Sequence, residues 1–257
     1  MREKRPLILV GNDDSYSFNG IKMLIKVARE FGDVVVSAPL VHQSGKGGGI
    51  TITEPLRATL KVDEPGYKVW VVNGTPADCC KLALDQLLDG RVPDLVVAGI
   101  NHGLNVGVAL LNSGTIGYTM EGCVHGIESV AFSYGNYSYD ADMAQCEPVV
   151  RDVIARVLRT GLPKGVCLNV NMPYGTGPFK GYKVTTTCMG RWVHEFEHRV
   201  DPNGHDYYWM TGDYAPDYPA DESTDVYNLK QGYVTVTPCH VDQTDREAMS
   251  QISDLLR

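Results

Sequence analysis

Continuous apolar runs, each closed by small polar residues, punctuate the first two thirds of the chain. Leu7-Ile8-Leu9-Val10 and the stretches 34–37, 95–100 and 130–133 are bounded by Gly, Pro, Asn or Asp, as strands buried on both faces should be. Helical periods lie between them. Ile21, Leu24, Ile25 and Ala28 recur at i, i+3, i+4 and i+7, and the stretch 77–88 begins after Thr75-Pro76, a cap followed by proline at the first helical position. A further helix is predicted over 116–125. This alternation predicts an α/β fold with a largely parallel, doubly wound sheet flanked by helices. Ile50-Thr51-Ile52-Thr53 and Val69-Trp70-Val71-Val72 read as strands of a local insertion, and 166–171 reads as a later sheet strand.

Beyond Gly181 the pattern becomes β-rich, through 183–187, 191–200 and Tyr207-Tyr208-Trp209, with Asn203-Gly204 where a hairpin would turn. A protruding β-hairpin arm is expected here, followed by a short strand at 233–237 and a terminal helix from about Arg246.

Composition narrows the function class. At 257 residues, 43% hydrophobic and 21% charged, the chain reads as one large domain over 1–257. A net charge of −8 argues against a nucleic-acid polymer as partner, although one cation could reverse the local sign for a small phosphorylated substrate. The apolar stretch 7–10 is too short for a signal-peptide core and no later run approaches a membrane span, so a cytoplasmic protein without a membrane partner is expected. Seven cysteines without a CxxC, two of them adjacent at Cys79-Cys80 in a helical pattern, fit buried thiols in a reducing compartment.

Candidate chemistry sits in the loops that close the apolar runs. Asn12-Asp13-Asp14 follows the first strand, Gln43-Ser44-Gly45-Lys46-Gly47-Gly48-Gly49 the second, and Asn101-His102-Gly103-Leu104-Asn105 the third long run. In an open α/β sheet such loops can meet at one edge, and paired carboxylates repel unless a cation or shared proton relieves them. Carboxylate, hydroxyl and amide oxygens suit Mg²⁺ or Mn²⁺ better than zinc. Asn112-Ser113-Gly114-Thr115 precedes a helix whose N–H groups could take a phosphate, or it is a plain Ser/Thr cap. The glycine-rich loop is not a P-loop, because Leu40 stands at the first glycine position and no Ser or Thr follows Lys46.

Together these fragments resemble the SurE family of survival proteins, metal-dependent 5′/3′-nucleotidases with acid-phosphatase activity. The resemblance rests on ILVGNDD at 8–14, SAPLVHQSG at 37–45, NGTPADC at 73–79, PDLVVAGINHGLNVG at 93–107 and SGTIGYTMEG at 113–122. LNVNMP at 168–173, RWVHEFEHRVDPNGHDYYWMTG at 191–212 and GYVTVTP at 232–238 extend it. The resemblance implies one divalent metal ion per subunit held by Asp13, Asp14, Ser44 and Asn101, with Asp13, Asp14 and Asn101 catalytic and Ser113, Gly114 and Thr115 at the substrate phosphate. It also implies a Rossmann-like core whose β arm and C-terminal swap segment, approximately 183–235, build a homodimer or homotetramer. The expected function is release of phosphate from nucleoside monophosphates. A broad-specificity acid phosphatase and a non-catalytic nucleotide-binding module are the alternatives. Water attack and a phospho-aspartate intermediate both remain open. Ser15 stands where the family usually has Gly; if that position needs positive φ, serine there is strained.

Two further motifs are set aside. His194-Glu195-Phe196-Glu197-His198 spells HExxH, but its residues alternate ahead of an Asn-Gly turn, and positions four apart on a strand lie roughly 13 Å apart, too far to share one zinc. Asp13-Asp14-Ser15 lacks the DxD spacing of haloacid-dehalogenase phosphatases. His102, beside Asn101, is a candidate for supporting the metal ligands or donating a proton, and Asp225 is expected to serve arm packing. Tyr16, Phe18 and Tyr118 are the aromatic candidates for stacking on a nucleoside.

Overall fold

A computed structural model describes residues 5–218 and 221–257; the N-terminal residues ahead of Arg5 and positions 219 and 220 of the β-rich stretch lie outside the described residues. Strand β1 (Leu7–Gly11) leads to helix α1 (Asn19–Phe31) and strand β2 (Asp33–Pro39). A hairpin of β3 (Ala58–Glu64) and β4 (Tyr67–Val72) precedes α2 (Pro76–Leu82), which runs on into a π-helical turn, Ala83–Leu87. Then come β5 (Leu95–His102), a 3-10 turn Gly107–Asn112, α3 (Gly114–Val124), β6 (Ser129–Tyr134), α4 (Glu147–Thr160) and β7 (Val166–Met172). The remainder comprises β8 (Tyr182–Val184), β9 (Gly190–Val193), β10 (Phe196–Val200), β11 (Asp206–Met210), β12 (Asp213–Pro216), α5 (Asp225–Lys230), β13 (Val234–His240) and α6 (Met249–Leu255).

Nine strands form one sheet in the order β3-β4-β2-β1-β5-β6-β7-β13-β8. From β4 through β2, β1, β5 and β6 to β7 every neighbouring pair is parallel; β3 and β13 add antiparallel neighbours on either side of that block. The period of two along β1 divides the core. Ile8 and Val10 pack with Ile21, Leu24 and Ala28 of α1 and Val150 and Ile154 of α4, whereas Leu7 and Leu9 pack with Cys79 and Cys80 of α2 and Tyr118 of α3. Strand order reverses at β1, which pairs with β2 on one side and β5 on the other, so the carboxyl ends of β1 and β5 meet at the switch point where open α/β sheets take their ligands.

Several expectations are redrawn. The run 69–72 lies in the main sheet as β4, parallel to β2, and not in a separate insertion. The stretch 50–53 forms no strand, because Asp78 captures it: Thr51 donates from its N to Oδ1 at 2.9 Å and from Oγ1 to Oδ2 at 2.6 Å. The same carboxylate closes a capping box with Thr75 at the start of α2. In the β-rich stretch, β8 and β13 join the main sheet, and two small ladders remain outside it, β9 with β12 and β10 with β11. The alternation over 191–200 is therefore interrupted. His194, at φ 54°, sits between β9 and β10, and the two strands pair with different partners. A turn over 201–205, with Gly204 at φ 86°, closes the β10–β11 hairpin.

Candidate functional site

Beyond the last residue of β1 the chain turns sharply and buries its polar groups. Asn12 is fully enclosed and donates from Nδ2 to the Ser15 carbonyl at 2.8 Å, closing the turn. Ser15 completes it at φ 99°, the left-handed region the sequence left open, and its hydroxyl donates to the Leu40 carbonyl at 3.2 Å. Between them Asp13 and Asp14 are 4% and 1% exposed. Isolated buried carboxylates are costly, so each has a dedicated partner.

Asp13 faces α3. The Thr115 hydroxyl donates to its Oδ1 at 2.6 Å, and the Asp13 carbonyl accepts from Gln43 N at 2.8 Å, which ties the glycine-rich loop to the turn. Gly114 allows this approach, since a Cβ there would lie 2.8 Å from both Asp13 Cβ and Pro76 Cγ. Ser113 caps α3, its hydroxyl accepting from Ile116 N at 3.2 Å. Asp14 faces β5. Its Oδ2 accepts from His102 N at 3.1 Å and contacts His102 Nδ1 at 2.8 Å, while Oδ1 lies 3.4 Å from His42 Nδ1. The neighbouring Asn101 donates from Nδ2 to the Gly103 carbonyl at 2.8 Å; among the described residues its Oδ1 has no donor and is free to accept or to ligate.

The loop after Asn101 is pinned twice. Asn105 N donates to Asn171 Oδ1 at 2.9 Å, Asn105 Nδ2 donates to Ser133 Oγ at 2.9 Å, and the Asn105 carbonyl accepts from Asn169 and Asn171. Asp225 then accepts from Gly107 N at 2.9 Å and from Cys188 N at 3.0 Å, joining this loop to the start of the β arm.

Burial, and next the charge of Asp14, push the Asp13 carboxyl up to about 7; hydrogen bonds from Thr115 pull the other way without prevailing. Such a pair is relieved by a cation, and its surroundings offer hard oxygen donors. Among the described residues no group of three or more His, Cys, Asp and Glu is arranged to hold a metal ion, so a cation here depends on neutral oxygens beside the two carboxylates. Asn101 Oδ1 is one candidate, and among the described residues the buried Asn12 Oδ1 is a second acceptor without a partner.

The structure thus brings Asp13, Asp14, Gly114 and Thr115 together beyond the carboxyl end of β1, with Asn101 near the end of the neighbouring β5. Ser113 is adjacent but engaged in the helix cap, and Ser44 is exposed, with no side-chain hydrogen bond among the described residues. Tyr118 is removed from the stacking candidates: it is fully buried beneath Gly11, where a Cβ would fall 2.1 Å from its ring. Tyr16 packs against the α1 side of the core. His42 and Tyr139 are additions; the Tyr139 hydroxyl lies 3.1 Å from His42 Nε2. His42 stands within a quoted motif, but nothing local in the sequence marks Tyr139. His194 and His198 lie on the arm, where His198 pairs with Asp206 at 2.6 Å and stacks on Tyr208.

The model of the family described as survival protein SurE matches residues 8–194. The 5′-nucleotidase SurE of Bacteroides thetaiotaomicron is 43% identical over 244 residues, covering 95% of this chain and 93% of that protein. Its counterpart of the same name in Bacteroides fragilis is 42% identical over 252 residues, 98% of each. The crystal structure of the SurE protein from Aquifex aeolicus superposes with a TM-score of 0.81 at 35% identity, covering 98% of this chain and 100% of that one.

Proposed function

The chain belongs to the SurE family of survival proteins, and from that membership and the geometry around Asp13 and Asp14 we propose that it is a 5′-nucleotidase, a divalent-metal-dependent phosphomonoester hydrolase acting on nucleoside 5′- or 3′-monophosphates. The observation that carries the reading is the pair of adjacent carboxylates, both more than nine-tenths buried, at the point where the strand order reverses. Asp13, Asp14, Ser44 and Asn101 would hold one Mg²⁺ or Mn²⁺. Bound there, the ion supplies Lewis-acid polarisation and neutralises phosphoryl charge.

The chain's own groups do the positioning. Thr115 fixes Asp13 and His102 fixes Asp14, so neither carboxylate must reorient when a ligand arrives. The N-terminus of α3 directs its positive dipole end at the same point, and the Gly114 N–H, without a protein acceptor among the described residues, would donate to a phosphoryl oxygen. Monophosphates are the favoured substrates, because further phosphates would face Asp13, Asp14 and an acidic protein with only Lys46 in the adjoining loop. Assembly as a homodimer or homotetramer is supported by the exposed Phe196, Tyr208, Trp209 and Met210 of the β10–β11 hairpin. A cytoplasmic setting is supported by seven buried cysteines, all free, and no described helix is long and apolar enough to cross a membrane.

The test is phosphate release from adenosine monophosphate with and without Mn²⁺ or Mg²⁺. Asp13→Asn and Asp14→Asn should each abolish metal-dependent release while the chain stays folded. Turnover near the wild-type rate in either variant would remove the metal-site assignment.

A further inference from the structure

Three aromatic rings from three distant segments converge beside Asp14. Phe18 comes from the residue preceding α1, His42 from the loop after β2, and Tyr139 from the loop after β6. The Tyr139 ring centroid lies 4.7 Å from Phe18, 5.4 Å from His42 and 5.6 Å from His102. His42 links Tyr139 to the acid: Nε2 meets the Tyr139 hydroxyl at 3.1 Å and Nδ1 lies 3.4 Å from Asp14 Oδ1.

The fold does not need these rings as core. Neither Phe18 nor Tyr139 belongs to a hydrophobic cluster, and Tyr139 keeps 43% of its surface exposed. Yet Tyr139 is held deliberately. Its loop is closed by Asn136 Oδ1 accepting from Ser138 N at 2.9 Å and by Ala141 N donating to the Ser138 carbonyl at 3.0 Å, and Ala141 itself is buried. A partly exposed ring, outside the core and one histidine away from Asp14, is suited to a flat, weakly polar partner.

We propose that Tyr139, backed by Phe18, is the surface on which the substrate's nucleobase stacks, making Tyr139 a specificity-determining residue. The inference rests on the monophosphate-hydrolase reading above. The relay from Asp14 through His42 to Tyr139 sets the ring one short linker away from the phosphate position, the place a ribose occupies in a nucleotide. Stacking needs only a π face, so this surface selects nucleosides over ring-free phosphomonoesters while discriminating weakly among bases.

The experiment compares kcat/KM for adenosine monophosphate with kcat/KM for glycerol 2-phosphate, under saturating Mn²⁺, in the wild type, Tyr139→Ala and Tyr139→Phe. Tyr139→Ala should lower the ratio of the two by about 10-fold or more, mostly through KM for the nucleotide. Tyr139→Phe, which keeps the ring and loses the hydroxyl contact with His42, should hold the ratio. A ratio unchanged in Tyr139→Ala, including equal losses on both substrates, overturns the stacking surface and leaves the hydrolase reading standing. Wild-type protein that releases phosphate from neither compound overturns that reading and the stacking surface with it.

Discussion

One oxygen of Asp14 is held twice by His102, 3.1 Å from its backbone N–H and 2.8 Å from its ring Nδ1, although the two residues are 88 positions apart. Adjacent parallel pairing of β1 and β5 makes this possible, because both strands end at the same sheet edge. The His102 side chain is wholly buried, so the carboxylate is oriented before any ligand enters.

His102→Ala keeps the backbone donor and removes the ring. It should weaken Mn²⁺ binding about 10- to 100-fold, the usual effect of losing a group that orients a metal ligand. His102→Asn, whose amide N–H can stand in for Nδ1–H, should recover most of the loss. Titration calorimetry on the two variants decides. Equal affinities in Ala, Asn and wild type would reduce His102 to packing.

Ser15 at φ 99° carries the strain that a Cβ incurs in left-handed backbone, offset by its hydroxyl bond to the Leu40 carbonyl at 3.2 Å. Replacing it with glycine relieves that strain but enlarges the unfolded ensemble and removes one hydrogen bond. Ser15→Gly is expected to gain a net stability of up to about 1 kcal/mol, a rise in Tm of about 2–4 °C for a chain of this size. A lower Tm would show that the hydroxyl bond outweighs the strain.

The parallel strands were legible because burial on both faces writes each as an unbroken apolar run, and β1, β5 and β6 appear where the runs stand. The acids were legible for a related reason: Asp13-Asp14 directly after such a run has no ordinary place in a core. Edge structure was not. β3 is largely exposed and carries no burial pattern, whereas Thr51, in a stretch that alternates like a strand, is taken by Asp78 from 27 positions away. Tyr139 was invisible because its role exists only where the loops after β2 and β6 meet. His194 and His198 stood out as a motif, yet His194 sits in the break between the β9–β12 and β10–β11 ladders while His198 lies within β10.

Asp13 also gives the metal-free protein a distinctive response to pH. Its carboxyl is raised from 3.8 to about 7, chiefly by burial and then by Asp14. Between those values the folded chain keeps a proton that the unfolded chain releases. The proton-linked contribution to stability is therefore full below about pH 4 and is lost as pH rises through about 7. A divalent cation must displace the same proton, so its affinity should climb across that window. Melting temperatures in EDTA, taken from about pH 5 to 8 for the wild type and for Asp13→Asn, isolate the effect from the other carboxylates. The wild type should lose stability relative to the variant as pH rises, and saturating Mn²⁺ should restore it. A difference between the two curves that does not change with pH would mean that the Asp13 carboxyl is already ionised across this range in the metal-free fold, and that Thr115 and the turn at Asn12 stabilise its charge without a cation.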